Sequence, residues 1–428
     1  MGALGILILF VGLLIGGLFR PWIGVFGYLF FAILCPQWNW RWSLPDINFQ
    51  KFLAAAALLS FLLSGMQYHR LPKWGRIAVV CLAGTLLLNF ISGMSSIDPA
   101  KTAFFLDVFG KITLMTCLAA GVLSDLKVIR VVCVMLVIAQ GWNAFNINQI
   151  YWQLGFLDLN SMTWNFLDNN TYSISSLPIM ALAIGLIFAD QNRWVRYLAG
   201  VILALQLHQI MLLESRGTML GAILLCTIAV FVMPKNRFNW NVTALSTVAI
   251  LILAGPPVLK EFSSIFVSED ELDTSADSRY YLWQAGLEIT LDNPILGVGP
   301  WCGEMVVPTY YRGEMTMGKY KALHNLFFEM STGAGIPALL LYVSFFLSAF
   351  WAHWKLWRSK LPVPPPLTAV NIAILCGIPG YFLASMFSSG ILIESPYVLV
   401  VLGIAAVAAN QQADSTEVTP EQDEANCV

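Results

Sequence analysis

Thirteen apolar runs, most of them near the length that crosses a bilayer, dominate this chain of 428 residues. They lie at 2–19, 21–36, 52–66, 77–94, 103–123, 129–146, 172–189, 197–213, 217–233, 241–259, 325–352, 367–389 and 396–409. A helix needs about 20 apolar residues to cross the hydrocarbon core. The runs are continuous rather than alternating, which reads as helix and excludes a transmembrane β-barrel. The expected fold class is therefore an all-α polytopic membrane protein of 12 or 13 transmembrane helices. Charged residues make up only 11% of the chain, against roughly 25% in an average soluble domain. That shortage excludes a soluble globular enzyme, a disordered chain and a nucleic-acid binder. The net charge of −2 decides little; the placement of the few charges decides more.

Basic clusters stand between the runs at His69, Arg70, Lys73 and Arg76, at Lys127 and Arg130, and at Arg193 and Arg196. Others follow at Lys235 and Arg237, and at Lys355, Arg358 and Lys360. From the third run onward they fall in every second loop, the pattern of cytoplasmic loops. The loops at 37–51, 95–102, 146–171, 214–217, 260–323 and 390–395 then face outward. On this reading residues 1–409 form one transmembrane domain, and the acidic tail 410–428 is a disordered cytoplasmic segment. The first two runs are split by Arg20-Pro21. That leaves open whether both cross, form a shallow hairpin, or make one broken helix. The first run has no basic leader and no small-residue cleavage site, so it reads as a retained helix. Of the eight cysteines, only Cys302 falls in an outward loop, and no pair has metal-ligand spacing. Neither a bound metal nor a cofactor is expected.

The outward loop 260–323 is the longest and is rich in Tyr, Trp, Leu and Gly. Loops longer than about 15 residues are usually functional or disordered, and this composition does not read as disorder. Between Arg279 and Ile289, the residues Leu282, Ala285 and Ile289 share one helical face. This predicts a short helix on the membrane surface, stopped by Asp292-Asn293-Pro294. Gly297, Gly299 and Gly303 mark a turn-rich segment leading to Tyr310 and Tyr311. Three outward segments put a cation or titratable group at the mouth of the bundle. They are Glu214-Ser215-Arg216-Gly217, Asp277-Ser278-Arg279-Tyr280, and His324-Asn325, which opens a span through Glu329, Gly333 and Gly335.

Together with Trp283 and the stretch Leu291-Asp292-Asn293-Pro294-Ile295-Leu296-Gly297-Val298-Gly299-Pro300, these segments resemble the O-antigen ligase and polymerase superfamily over roughly residues 170–400. The order Arg, Arg, His and the long outward loop between two late spans are shared with that family. The early stretch Arg20-Pro21-Trp22-Ile23-Gly24-Val25, with Cys35-Pro36, is similar to its exosortase-associated O-glycosylation ligase branch. The resemblance implies a GT-C type fold in a bacterial inner membrane, with the active site facing the periplasm. It implies inverting transfer of a glycan from a polyprenyl (undecaprenyl) diphosphate to a hydroxyl, with no metal and no nucleotide sugar. The acceptor would be lipid A core, a protein or another glycan.

The residue types suit that chemistry. Arginine is permanently charged and binds phosphate oxygens with a planar fork, so Arg216 and Arg279 would clamp the diphosphate. A histidine near neutral pKa can take the acceptor proton, and His324 is the candidate. Each residue has a plainer reading. Arg216 would serve as a headgroup anchor. Arg279 would pair with Asp277 or with the acidic run Glu269, Asp270, Glu271 and Asp273. His324 would be a solvated helix-start residue. Glu214 would orient Arg216 or form a local ion pair. Asn325 and Glu329 would line the site or serve structure, Tyr280 would support it, and Arg312 is a reserve phosphate ligand. Asp107 and Lys111, at i,i+4 within a span, can neutralise one another, and His208 reads as a packed, hydrogen-bonded side chain. Trp283, Trp301, Tyr310 and Tyr311 would stack on sugar rings. Ligase and polymerase share this donor chemistry and differ in acceptor. A flippase or secondary transporter, with Asp107, Lys111 and the prolines Pro337 and Pro379 near midplane, is the alternative from another class. A scaffold without chemistry leaves the three charged segments unexplained.

Overall fold

A computed structural model of the chain describes residues 2–159, 168–253, 274–312 and 320–417, with backbone alone for 246–253, 274–278 and 414–417. Among the described residues the regular structure is entirely helical. The helices run α1 (Ala3–Phe19), α2 (Pro21–Leu34), α3 (Pro36–Asn39), α4 (Phe49–Leu63), α5 (Lys73–Gly93), α6 (Pro99–Val122), α7 (Leu126–Leu154) and α8 (Asn169–Ala189). They continue as α9 (Arg193–Leu212), α10 (Arg216–Val232), α11 (Arg237–Leu253), α12 (Thr274–Asp292), α13 (Gly303–Tyr310), α14 (Leu326–Ser359), α15 (Pro365–Ser385) and α16 (Ser395–Glu417). Eight of the described helices, α5 to α9 and α14 to α16, are long and apolar enough to cross a membrane. The protein is thus an all-α polytopic membrane protein. Four apolar helices counted as spans from sequence, α1, α2, α4 and α10, have only 14 to 17 residues. They fall short of the roughly 20 that a full crossing needs.

Small residues set the packing. α15 lies between α8 and α10, where a Cβ at Gly221 would approach the Gly380 carbonyl to 2.6 Å and one at Gly380 the Gly221 carbonyl to 2.8 Å. In a bilayer, where lipid tails are as apolar as side chains, such close approach is what gains dispersion energy. α1 and α2 form an antiparallel hairpin about the extended Arg20 (φ −137°). A Cβ at Gly17 would meet Gly24 at 2.9 Å, and Phe10 packs against Phe31 across the pair. The two apolar runs are therefore two helices folded on each other and not one broken helix.

The break in α14 organises one end of the bundle. Pro337 has no N–H and its ring excludes a helical carbonyl four residues earlier, at Gly333. The chain turns there through Gly335 at φ +83°. The backbone groups freed by the break are taken up by the Gly-rich segment after α12. Val298 N–H donates to the Thr332 carbonyl (2.8 Å), Gly299 N–H to the Gly333 carbonyl (3.0 Å), and Ile336 N–H to the Pro294 carbonyl (2.8 Å). Ser92 Oγ also donates to the Gly333 carbonyl, at 2.8 Å. Within a membrane protein an interrupted helix is tolerated only when its polar groups are re-satisfied in this way. A side chain at Gly335 would overlap the Ile295 carbonyl and occupy a left-handed conformation. Gly335→Ala is expected to destabilise the fold by at least about 2 kcal/mol, read as a lower detergent-phase melting temperature.

The helix expected on the membrane surface instead docks on protein. Leu282, Ala285 and Ile289 of α12 are fully buried, and Leu282 and Ile289 cluster with Val307 of α13 and Leu323, with Phe328 of α14 packed against them. The apolar stripe is covered by its own chain rather than by lipid. α12 ends at Asp292, as the Asp-Asn-Pro stop predicts. α16 continues to Glu417, past the Asn410 at which the sequence suggests a disordered tail, because Ala and Gln after Asn410 prolong a helix readily. The acidic run 269–273 and residues 418–428 lie outside the described residues.

Candidate active site

The connections at one end of the bundle are tied together. Ile97 N–H donates to the Val298 carbonyl (3.2 Å), Asn169 Nδ2 to the Leu213 carbonyl (2.9 Å), and Asn325 Nδ2 to the Met386 carbonyl (3.1 Å). Thr171 Oγ1 meets Ser388 Oγ at 3.0 Å. Arg216 and His324 enter this end by the same local device. Each adjoins a helix start that follows a non-glycine residue in the left-handed region, Glu214 (φ 52°) before Ser215-Arg216 and His324 itself (φ 46°) before Asn325-Leu326. Such conformations cost of order 1–3 kcal/mol and cluster at functional sites. Asn325 caps α14, its Oδ1 accepting from Phe327 N–H (2.9 Å) and Phe328 N–H (3.2 Å). Ser215 makes no side-chain cap at α10; its Oγ lies 2.9 Å from Thr218 Oγ1.

Arg279 feels the charge of Arg216, and His324 feels that of Arg279. Burial lowers the proton affinity of the half-buried Arg279 guanidinium, and the charge of Arg216 lowers it further. His324 is also pushed below its ordinary 6.5, first by burial. Arg279 and Lys321 add to this, while Asp168 and Glu304 act in the opposite direction.

His324 lines a cavity of about 220 Å³ together with Asp168, Trp301, Glu304, Glu329 and Ser389. Its walls come from segments far apart in sequence. Asp168 caps α8, its Oδ1 accepting from Thr171 N–H at 2.7 Å. Glu304, in the first turn of α13, pairs with Lys101 in the first turn of α6, and Lys101 lies 5.3 Å over the Trp301 ring. Trp301 stacks on Phe104 with centroids 5.5 Å apart. Glu329 Oε2 is buried without a hydrogen-bond partner among the described residues. Among those residues no group of three or more His, Cys, Asp or Glu is arranged to hold a metal ion.

Residues 201–343 match a family model described as O-antigen ligase. This region belongs to the O-antigen ligase superfamily. The matched stretch contains Arg216, Arg279 and His324, and members of the superfamily are membrane enzymes that transfer glycans as ligases or polymerases. No curated protein matches the chain.

Within this O-antigen ligase region the other candidates separate. Glu329 stays beside His324 in the cavity, whereas Asn325 is spent on the α14 cap. Arg312 is exposed and paired with Glu288 at 2.6 Å, at the surface. Tyr280 is 61% exposed and packs edge-on to Tyr281. Glu214 is exposed, and the side chain of Asp277 lies outside the described residues. Trp283 packs against Phe387 at 5.8 Å. Outside the region, Lys111 pairs with Asp107 on the α6 surface. His208, inside the region, is bonded to Asn148 and packed on Tyr151. Asp168, Lys101, Glu304 and Lys321 escape the sequence reading. Asp168 carries only the signal of a helix cap before an apolar run, and the Lys101–Glu304 pair spans 203 residues.

Proposed function

We propose that the chain transfers a glycan from a polyprenyl diphosphate to an acceptor hydroxyl at the periplasmic face of a bacterial inner membrane, with inversion and without a metal. One observation carries this reading: His324 is coupled to Arg279, and through it to Arg216, while lining a carboxylate-walled cavity. This supports a reading in which cations for a leaving diphosphate and space for an acceptor lie on either side of one base.

Arg216 and Arg279 hold the diphosphate with bidentate, charge-assisted bonds. His324 takes the proton of the acceptor hydroxyl as its oxygen bonds to the anomeric carbon. The bond from that carbon to the phosphate oxygen breaks, and its electron pair leaves with the polyprenyl diphosphate. Attack opposite the leaving group inverts the anomeric centre. Asp168 and Glu304 stabilise the imidazolium formed. The broken helix α14, a feature of transporters, is here filled by the chain's own Gly-rich segment, which weakens the flippase reading.

The lowered proton affinity of His324 sets a pH dependence. The neutral base is present at pH 7, and activity is lost as pH falls through a value below the ordinary 6.5. Asp168→Asn keeps the helix cap but removes a charge that favours the imidazolium. The acid limb of kcat/KM should therefore move to still lower pH, and a limb that moves upward contradicts the placement of Asp168. The function itself is tested with purified protein and a labelled polyprenyl-diphosphate glycan, offering lipid A core, a protein acceptor and a second lipid-linked glycan separately. Extension of one of them supports the reading and separates ligase from polymerase. Extension of none, with labelled lipid crossing vesicles, would support the flippase instead.

A further inference from the structure

We infer that the end of the bundle opposite His324 binds the headgroup of an anionic phospholipid, at a site shared by α5 and α14. The inference does not depend on the transferase reading. The two helices run antiparallel against each other. Ser92, near the end of α5, donates to the Gly333 carbonyl at the break in α14, and farther along a Cβ at Gly84 would meet Leu341 at 2.9 Å. The start of α5 therefore lies against the last turns of α14, where the first and last basic clusters of the sequence come together. Lys73 Nζ and Lys355 Nζ both sit over the Trp74 ring, 5.8 and 5.1 Å from its centroid. Lys355 Nζ also lies 5.8 Å from the centroid of Trp351.

The cations at this end are not spent on the chain's own carboxylates. Lys101, Lys111, Arg130 and Arg312 each pair with one. Lys73, Arg76, Lys355, Arg358 and Lys360 are exposed, and among the described residues none of these five has such a partner. Charge complementarity thus selects an anion. Lysine meets a phosphate as a point charge on a flexible stem that can reach up to headgroup level.

The surface beside the cations makes that anion a lipid. Lys73, Val80 and Leu87 recur every seven residues on one face of α5, and Leu340, Leu347, Trp351 and Lys355 share one face of α14. All the apolar members of these two stripes are exposed. Each stripe is apolar along its length and ends at a lysine over the Trp74 ring. Acyl chains lying along the stripes bring their phosphate to the level of both ammonium groups, with tryptophan at the interface where it is favoured. Basic groups between transmembrane helices bind anionic headgroups in this way. A zwitterionic headgroup carries its own cation and gains less, and a soluble phosphate makes no use of the stripes.

The test uses the full-length protein, purified in detergent and stripped of lipid, with binding read by native mass spectrometry. The probes are phosphatidylglycerol, phosphatidylcholine with the same acyl chains, and water-soluble glycerol phosphate. Phosphatidylglycerol should bind at least about tenfold more tightly than phosphatidylcholine, and glycerol phosphate should not displace it. Lys73→Gln/Lys355→Gln should weaken its binding by roughly twenty-five-fold, about fivefold for each lysine near an anionic headgroup. Lys73→Arg/Lys355→Arg should retain it. Lys127→Gln/Lys235→Gln removes the same charge from other basic loops and should leave it unchanged. Equal binding of the two lipids overturns the inference, as does equal weakening in the Lys127/Lys235 variant. Displacement by glycerol phosphate at concentrations comparable with the lipid overturns the lipid as occupant. The preference between lipids is read on the wild type, so the test does not depend on how any substitution folds.

Discussion

His324→Ala is expected to lower kcat for glycan transfer by about 10²–10⁴-fold, the range that a positioned general base contributes. Insertion into the membrane and binding of the lipid-linked donor should both survive. The side chain lines the cavity of about 220 Å³ and makes no cap, since the α14 cap belongs to Asn325. Truncating the imidazole therefore removes the base without removing the helix start. The residue already occupies a left-handed conformation, so alanine inherits that strain rather than adding it. Single-turnover rates and donor affinity measured on the same purified variant separate the two effects. Full transfer by the alanine protein would show that another group takes the proton.

The second large effect concerns the arginine pair. Arg279→Lys is expected to lower transfer by about 10²–10³-fold, comparable with the loss of one preorganised donor at a developing anion. Lysine keeps the charge but replaces a planar fork with a point charge on a flexible stem. Arg216→Ala should act alike, and both should raise the donor KM, which His324→Ala does not. The physical basis is the mutual influence of the two guanidinium groups. A diphosphate held by both groups would reduce that mutual repulsion. Inorganic pyrophosphate should therefore compete with donor in the wild type and lose potency in Arg279→Lys. Equal inhibition of the two proteins would place the diphosphate elsewhere.

Much of the fold is written in local periodicity. The face formed by Leu282, Ala285 and Ile289 is read from spacing alone, and all three are buried. What covers that face is not local, and α12 docks on α13 and α14 instead of lipid. The prolines and glycines of α14 signal a break, yet not that the segment around Val298 and Gly299 completes it. That pairing joins residues more than thirty positions apart. Among the candidates, Arg216 and His324 stand out because each is a polar residue at the end of an apolar run, and Arg279 because it is a cation in an outward loop. Asp168 and Glu304 do not, since a helix-cap aspartate and a surface glutamate are commonplace until the fold brings them to His324.

The central claim is that one charged end of this bundle exchanges a diphosphate leaving group for an acceptor hydroxyl. It is tested most directly by following both products of a labelled polyprenyl-diphosphate glycan in the presence of a chelator. One polyprenyl diphosphate should be released for each glycan joined to acceptor, and NMR of the product should show the anomeric centre inverted. Retention of configuration, loss of the reaction on chelation, or intact donor moving between leaflets without release of diphosphate would contradict it.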